Sequence, residues 1–239
     1  MQTHAPIRAI TFDAAGTLIR VADPVGETYS RIAGDMGAHL SPAALDAAFR
    51  DVFPNMPAMA FPDLAGPAIV EAERAWWRDL VERVVRHAGG VSAFDRYFDT
   101  LFSHYAGASA WRVYPESHQA LKSARARGLS VAVVSNFDSR LLPILRELGI
   151  EELVDSVVYS TGCGAAKPDK GIFNHAMETL GSTPETTLHV GDNLHADYHG
   201  AIAVGMTAVY LNRRGSAVED GVTTVGHLGE LDALVPQPR

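Results

Sequence analysis

Short apolar runs rich in valine or isoleucine recur at the two ends of the chain and are missing from its middle. The runs cover residues Arg8–Phe12, Ser130–Ser135, Ser156–Ser160, Thr187–Val190 and Thr207–Leu211. Between them, apolar residues recur at helical spacing, as in the series Leu141, Leu142, Leu145 and Leu148. Strands that alternate with amphipathic helices are typical of βαβ units. We therefore predict an α/β fold with a Rossmann-like, three-layer parallel sheet.

The stretch between residues 21 and 109 follows a different pattern. Its apolar residues recur at helical spacing around Phe49, Val81 and Phe98, and a proline-rich stretch at 53–67 separates the first two segments. No run there has a strand pattern as strong as those at the two ends. We therefore predict an all-helical cap domain at 21–109, inserted into an α/β core domain formed by residues 1–20 and 110–239.

Composition narrows the kind of partner. The 239 residues are 47% hydrophobic and 20% charged, which is ordinary for a globular protein with a sizeable core. The net charge of −8 repels polyanions, so we expect neither nucleic acid nor an anionic membrane as main partner. Cys163 is the only cysteine, and we find no secretion signal or membrane-spanning stretch. We expect a cytoplasmic monomer or homodimer that binds a small molecule.

Asp13 is the first candidate for chemistry. It closes the first apolar run and enters a turn containing Gly16 and Thr17. Open α/β sheets place their ligand sites at such strand ends. A carboxylate there can attack phosphorus, and the backbone N–H groups of Gly16 and Thr17 can bind an anion. An aspartate after a strand is more often a turn former or a cap, so the assignment depends on the later segments.

Ser135, Asn136 and Lys167 fit the same edge of the sheet. The first two end the second core strand, where Ser135 is either a helix cap or a hydroxyl donor to a phosphate oxygen. Lys167 is notable because the chain has only two other lysines, Lys122 and Lys170. A compact ammonium suits a site crowded with carboxylate and phosphate oxygens, although an exposed loop lysine is the competing interpretation.

Two further acids follow the strand at 187–190. Asp192 and Asp197 are either a turn and a cap or, together with Asp13, ligands for Mg²⁺, which prefers carboxylate oxygens. The neighbouring His195 and His199 suggest zinc, but the predominance of oxygen ligands favours magnesium.

Together these segments resemble the haloacid dehalogenase-like hydrolase superfamily. The matching segments, in family order, are Asp13-Ala14-Ala15-Gly16-Thr17, Ser135-Asn136, Lys167-Pro168 and Gly191-Asp192-Asn193 with Asp197. The resemblance implies a helical cap inserted after the first segment. It also implies a Mg²⁺-dependent phosphatase that acts on a small phosphorylated metabolite through an aspartyl-phosphate.

The resemblance also implies individual roles. Asp13 is the expected nucleophile and a metal ligand, and the backbone carbonyl of Ala15 and the carboxylate of Asp192 complete the metal set. Lys167 shields charge and binds the phosphate together with the other phosphate-binding residues, Gly16, Thr17, Ser135 and Asn136. Asp197 is expected to support the metal waters or the lysine.

Ala15 departs from the family pattern. Phosphatases of this superfamily usually carry a second aspartate there, which protonates the leaving group and then activates water. A positioned acid–base is worth about 10²–10⁴-fold in rate. We therefore expect metal binding to persist, and we consider His195, Asn193 and Glu27 as groups that replace the missing acid.

Two other functions remain open at this point. One is a catalytically impaired, phosphate-binding or regulatory protein. The other is a haloacid dehalogenase, since those enzymes also lack an acid at this position; they work without metal, however, and lack the pair retained here as Gly191-Asp192. A phosphonoacetaldehyde hydrolase is excluded in its known form, because its cap lysine has no counterpart before Lys122.

Overall fold

The computed structural model describes residues 6–234, and it confirms the predicted α/β class. Six strands form one parallel sheet in the order β5-β4-β1-β6-β7-β8, and a separate pair, β2 and β3, is antiparallel. The strands are β1 (Ala9–Phe12), β2 (Ile19–Val21), β3 (Trp111–Val113), β4 (Ser130–Ser135), β5 (Ser156–Tyr159), β6 (Thr187–Gly191), β7 (Thr207–Leu211) and β8 (Thr224–Val225). Within residues 6–234, no helix is both long and apolar enough to cross a bilayer.

Helices surround the sheet and fill the middle of the chain. They are α1 (Val25–Gly34), α2 (Pro42–Val52), α3 (Pro67–His87), α4 (Phe94–Ala106), α5 (Ser117–Ala126), α6 (Leu141–Glu147), α7 (Ser160–Cys163), α8 (Lys170–Leu180), α9 (Gly200–Ala203) and α10 (Leu231–Leu234). A π-helical turn, Leu194–His199, runs directly into α9. Because consecutive side chains of a strand point to opposite faces, Val133 packs with α5 and α6 while Val134 packs with α8. This arrangement gives the three predicted layers.

The helices α1–α4 share a core of their own. Leu45, Val81, Tyr97 and Phe98 are among its buried members. The strand pair β2–β3 lies where the chain leaves the sheet for these helices and returns from them. The domain limits 1–20, 21–109 and 110–239 stay a prediction, and their outer ends, residues 1–5 and 235–239, lie outside the described residues.

Candidate active site

Three neighbouring strands deliver three polar residues to one edge of the sheet. Asp13 follows β1, Ser135 ends β4 and Asp192 follows β6. β1 lies between β4 and β6, and the strand order changes direction next to it. Such a switch point leaves a crevice at the carboxyl ends of parallel strands, where α/β proteins bind ligands.

Lys167 is the centre of the polar network. It lies in the loop before α8, is 5% exposed, and uses all three ammonium protons. Its Nζ donates to Asp13 Oδ1 at 2.7 Å, Asp197 Oδ1 at 2.6 Å and the Val134 carbonyl at 2.8 Å. Burial acts to lower the pKa of Lys167, but the charges of Asp13 and Asp197 outweigh it and raise that pKa. The lysine is therefore a fixed positive charge.

Asp13 is held by one of its two carboxylate oxygens. Oδ1 accepts from Lys167 and, at 2.9 Å, from the Ser135 hydroxyl. Within residues 6–234, no side chain donates to Oδ2. Burial is the main cause that raises the pKa of Asp13, and Lys167 opposes it. The geometry leaves Oδ2 as the oxygen free to attack or to bind a cation.

Asp13 also belongs to a cluster of carboxylates. Asp13, Asp192 and Asp197 each place an oxygen within 4.8 Å of the others. Burial, followed by the charges of Asp13 and Asp197, raises the pKa of Asp192 to about 7. Like charges packed so closely require protons or a cation, and an all-oxygen set suits a hard divalent ion. The residues present therefore fit a divalent metal.

Asp197 differs from the other two acids because protein donors occupy both of its oxygens. Oδ1 accepts from Lys167 and from His189 Nε2 at 3.2 Å, and Oδ2 accepts from the Asn193 backbone N–H at 2.9 Å. Burial alone would raise the pKa of Asp197, but Lys167 and His189 outweigh it and hold that pKa well below its usual range. Asp197 therefore orients the lysine and the loop that carries Asp192.

The turn after Asp13 corrects one expectation. The backbone N–H of Gly16 donates to Ile19 O at 2.7 Å, and that of Thr17 donates to Ala14 O at 3.3 Å. Both groups are used inside the turn, so they are not the anion donors that the sequence predicted. In the described part of the chain, the N–H groups of Ala14 and Ala15 have no protein acceptor.

Two features hold the turn after Asp13 in place: the lack of a side chain at Gly16 and the hydrogen bonds of Arg213. Gly16 has a φ of 95°, and a Cβ there would lie 2.2 Å from Asp192 Oδ2, so only glycine fits. Arg213 donates to the carbonyls of Gly16 at 3.1 Å and Thr17 at 2.7 Å, and it pairs with Glu116 at 2.5 Å. The Thr17 hydroxyl lies 3.4 Å from Asp192 Oδ1. Thr17 therefore contacts the metal-side carboxylate.

Asn136 has a structural role that the sequence did not indicate, and its phosphate-binding role stays a prediction. Its Oδ1 accepts from the Lys167 backbone N–H at 2.7 Å, and its Nδ2 donates to the Lys167 carbonyl at 2.8 Å. Both ends of the amide are thus paired with the backbone of the lysine. Asn136 therefore positions Lys167 and keeps a second Nδ2 N–H, for which residues 6–234 provide no acceptor, while Ser135 points its hydroxyl at Asp13.

The exposed side chain of Ala15 leaves the usual place of the acid open to solvent. Of the three replacements considered from the sequence, Asn193 caps the π-helical turn by accepting from the Ala196 N–H at 2.8 Å. Glu27 lies instead beside a 450 Å³ pocket among residues of α1. His195 is exposed. In residues 6–234 none of the three makes a hydrogen bond to Asp13.

The helix α3 contacts the segments that follow β4 and β5. The Glu73 carboxylate, 2% exposed, accepts from the Ser139 backbone N–H at 3.0 Å, from the Ser139 hydroxyl at 2.6 Å and from the Thr161 hydroxyl. One turn along, Trp77 Nε1 donates to Asp138 Oδ2 at 2.5 Å. These contacts tie the helix to the segments after β4 and β5, of which the first follows Ser135 and the second leads to Lys167.

Sequence reasoning missed four contributors to this network. They are Thr11, Glu73, His189 and Arg213. A signal existed for His189, since a histidine between Leu188 and Val190 interrupts an otherwise apolar strand. Glu73 and Arg213 carry no local signal, because each acts on a segment distant in the chain.

Comparisons with known proteins agree with this geometry. The profile of the haloacid dehalogenase-like hydrolases matches residues 7–205. The mouse haloacid dehalogenase-like hydrolase domain-containing protein 3 is 35% identical over 241 residues, covering 99% of this chain and 95% of its own. A HAD phosphatase from Thermococcus onnurineus (TM-score 0.70, 23% identity, 98% and 100% coverage) shares the fold. So does the L-2-haloacid dehalogenase from Xanthobacter autotrophicus (TM-score 0.69, 19% identity, 96% and 98% coverage). The chain belongs to the haloacid dehalogenase-like hydrolase family.

Proposed function

We propose that this protein is a Mg²⁺-dependent phosphohydrolase that acts on a small phosphorylated metabolite through an aspartyl-phosphate on Asp13. The observation that supports it most directly is the asymmetry of the Asp13 carboxylate. Oδ1 is fixed by Lys167 and Ser135, Oδ2 accepts from no side chain in residues 6–234, and the carboxylate belongs to a group of three that could hold a cation. A metal-free site would not need Asp192 in that cluster.

In the first step, Asp13 Oδ2 forms a bond to phosphorus while the bond from phosphorus to the leaving oxygen breaks. The electron pair departs with the leaving oxygen. Lys167 and the Ser135 hydroxyl stabilise the negative charge on the phosphoryl oxygens. When bound by Asp13, Asp192 and the Ala15 carbonyl, Mg²⁺ would neutralise the carboxylates and the charge of the phosphoryl group.

In the second step, water attacks the phosphorus of the aspartyl-phosphate. The bond between phosphorus and Asp13 Oδ2 breaks, which restores the carboxylate, and the proton lost by the water passes to solvent. Phosphate leaves, and Lys167 again pairs with Asp13. We propose the cytoplasm as the compartment and a monomer or homodimer as the active form.

The test is phosphate release from a panel of phosphorylated metabolites. We expect release that Asp13→Asn and EDTA each abolish, with activity restored to the EDTA-treated protein by added Mg²⁺. Asp63→Asn, at an exposed acid in the loop before α3, is the matched control and should behave as wild type. Release that is indifferent to both treatments would refute the mechanism.

Ala15 also supports a second candidate, a phosphate receptor without efficient turnover. Its side chain brings no acid to the site, while Lys167 and the carboxylates stay in place. Tight binding of trifluoroberyllate with Mg²⁺, combined with no phosphate release from any donor, would favour the receptor. Release of halide from 2-haloacids without metal would instead favour a dehalogenase.

A further inference from the structure

The absent acid at Ala15 has no substitute among the groups that contact the nucleophile. Lys167 is paired with Asp13 and Asp197 and gives its third proton to a carbonyl. Asp197 takes donors on both oxygens. Asp192 is one of the three acids that could hold a cation, and with a cation bound its carboxylate has no proton to give. None of these groups is placed to hand a proton to a departing oxygen.

The acids that approach from the neighbouring segments are also committed. Glu73 accepts three hydrogen bonds from Ser139 and Thr161. Asp138 accepts from Trp77 and from Arg140, whose guanidinium bonds both of its oxygens at 2.6–2.9 Å. Both carboxylates are thus held as acceptors. In residues 6–234, the side chains that hydrogen-bond Asp13 and these two acids therefore have no proton free for a leaving group.

The lack of a proton donor affects phosphoryl transfer from some substrates more than from others. A simple alkoxide is a strong base, so its departure from phosphorus depends on a proton supplied in the transition state. A carboxylate, phenolate or enolate leaves as a stabilised anion and needs little help. A positioned acid, worth about 10²–10⁴-fold in general, therefore matters for the first kind of substrate and far less for the second.

We propose that the site is matched to phosphoryl donors whose leaving group departs as a stabilised anion: acyl phosphates and enol or aryl phosphates. Alkyl phosphates are poor substrates. Polyphosphates are disfavoured as well, because acidic residues outnumber arginines in residues 21–109. The inference rests on the proposed function and names the class of substrate for that same site.

The second step makes a separate prediction. The group that would protonate the leaving oxygen would also activate water, so its absence slows breakdown of the aspartyl-phosphate. Formation from a good donor is then faster than breakdown. The first turnover should appear as a burst of leaving group equal in amount to the protein, followed by a slower steady rate.

The experiment compares kcat/KM for a series of substituted phenyl phosphates, acetyl phosphate and glycerol phosphate. In wild type, kcat/KM should fall by about 100-fold or more as the leaving group becomes more basic. Ala15→Asp should flatten this dependence by accelerating the poor donors. Ala15→Asn, of similar size but without a transferable proton, is the matched control and should keep the steep dependence.

Two outcomes separate this inference from the proposed function. If wild type hydrolyses glycerol phosphate as fast as nitrophenyl phosphate, the substrate class is wrong while the aspartyl-phosphate mechanism stands. If no donor in the series phosphorylates Asp13, as judged by mass spectrometry of the acid-quenched protein, the proposed function itself fails. The wild-type series is decisive even if Ala15→Asp does not fold.

Discussion

His189 shows how a single buried side chain orders the polar network. Its ring is fully buried in β6, with Nδ1 2.8 Å from the Thr11 hydroxyl and Nε2 3.2 Å from Asp197 Oδ1. A carboxylate only accepts, so Nε2 must carry the proton and the threonine must donate to Nδ1. Burial lowers the pKa of His189 and keeps the ring neutral. His189 is thus a positioning residue that acts on Lys167 through Asp197.

Substitution of His189 by glutamine or asparagine separates its two contacts. Glutamine places its amide near the former Nε2 and keeps a donor for Asp197, whereas asparagine reaches only toward Thr11. We expect His189→Asn to lower kcat about 10-fold or more, since a hydrogen bond to a charged group is worth roughly 1.5–3 kcal/mol. His189→Gln should stay close to wild type. KM and the melting temperature are measured alongside.

The exposed His175 on α8 serves as the control, and His175→Asn should leave kcat, KM and the melting temperature unchanged. A purely structural role would lower the melting temperature of both His189 variants and leave kcat per folded molecule the same in each. That result would contradict a positioning role.

At the scale of residues, the sequence indicates which side chains belong to the candidate site better than it indicates the contacts that each one makes. Asp13, Ser135, Lys167, Asp192 and Asp197 could be named because each follows or ends a strand, or is a rare residue type. The roles of Gly16 and Asn136 could not, because backbone hydrogen bonds inside a turn and an amide paired with another loop leave no pattern in the chain.

At the scale of elements, the contact between α3 and the segments after β4 and β5 is the feature with the clearest consequence. Glu73 is a buried carboxylate whose hydrogen-bond donors all come from outside its own helix. The Arg140 guanidinium lies over the rings of Trp77 and Phe102, 5.1 and 4.1 Å from the ring centres. We call this region, where α3 meets Asp138, Ser139 and Thr161, the seam. The seam joins α3 to the segments that follow β4 and β5.

Removal of the Glu73 carboxylate should therefore loosen this seam. Glu73→Ala leaves the Ser139 N–H without its acceptor, and a buried donor left unpaired costs about 1–3 kcal/mol. We expect amide hydrogen exchange at Ser139 to become about 10-fold faster or more, and KM to rise. Glu71→Ala, at an exposed position on the same helix, is the control. Unchanged exchange at Ser139 would show that the seam is held by other contacts.

Element prediction from the sequence succeeded where the pattern is long. The helices centred on Phe49, Val81 and Phe98 and the five apolar strands are all present. The two-residue β8, the three-residue pair β2–β3 and the π-helical turn Leu194–His199 were missed. Such short elements are set by tertiary pairing, because two or three residues carry too little periodicity to indicate a structure.

At the scale of the whole molecule, the carboxylate cluster couples stability to pH. The pKa of Asp192 rises from 3.8 to about 7 on folding, so the folded protein binds a proton there that the unfolded chain has lost. The stabilisation is complete below pH 3.8 and is lost as pH rises through about 7. Asp13, whose pKa is also raised, acts in the same direction.

Without metal, wild type should therefore lose thermal stability relative to Asp192→Asn as pH rises from 5 to 8. Other groups also make stability depend on pH; the lowered pKa of His189, for example, favours folding as pH rises. Both proteins contain these groups, so their contributions cancel in the comparison. Melting temperatures in EDTA at several pH values provide the measurement. Added Mg²⁺ should restore wild type at pH 8 and help the variant less. Parallel pH curves in EDTA would argue against a charged cluster.

The fold class was predictable at this scale because alternation of strands and helices permits few topologies. The relation of the helical segment to the sheet was not, since it depends on side chains such as Glu73 and Trp77 that meet partners 61 or more residues away.

The central position of β1 has a consequence for synthesis. Residues 9–12 leave the ribosome more than 100 residues before their neighbours, which are β4, beginning at Ser130, and β6, beginning at Thr187. Until β6 emerges, one edge of β1 has no partner, and an unpaired apolar edge invites pairing with other chains. The helical segment, by contrast, contains contacts close in sequence and can condense early. Nascent chains stalled before residue 187 should be the ones that depend on a chaperone to stay unaggregated.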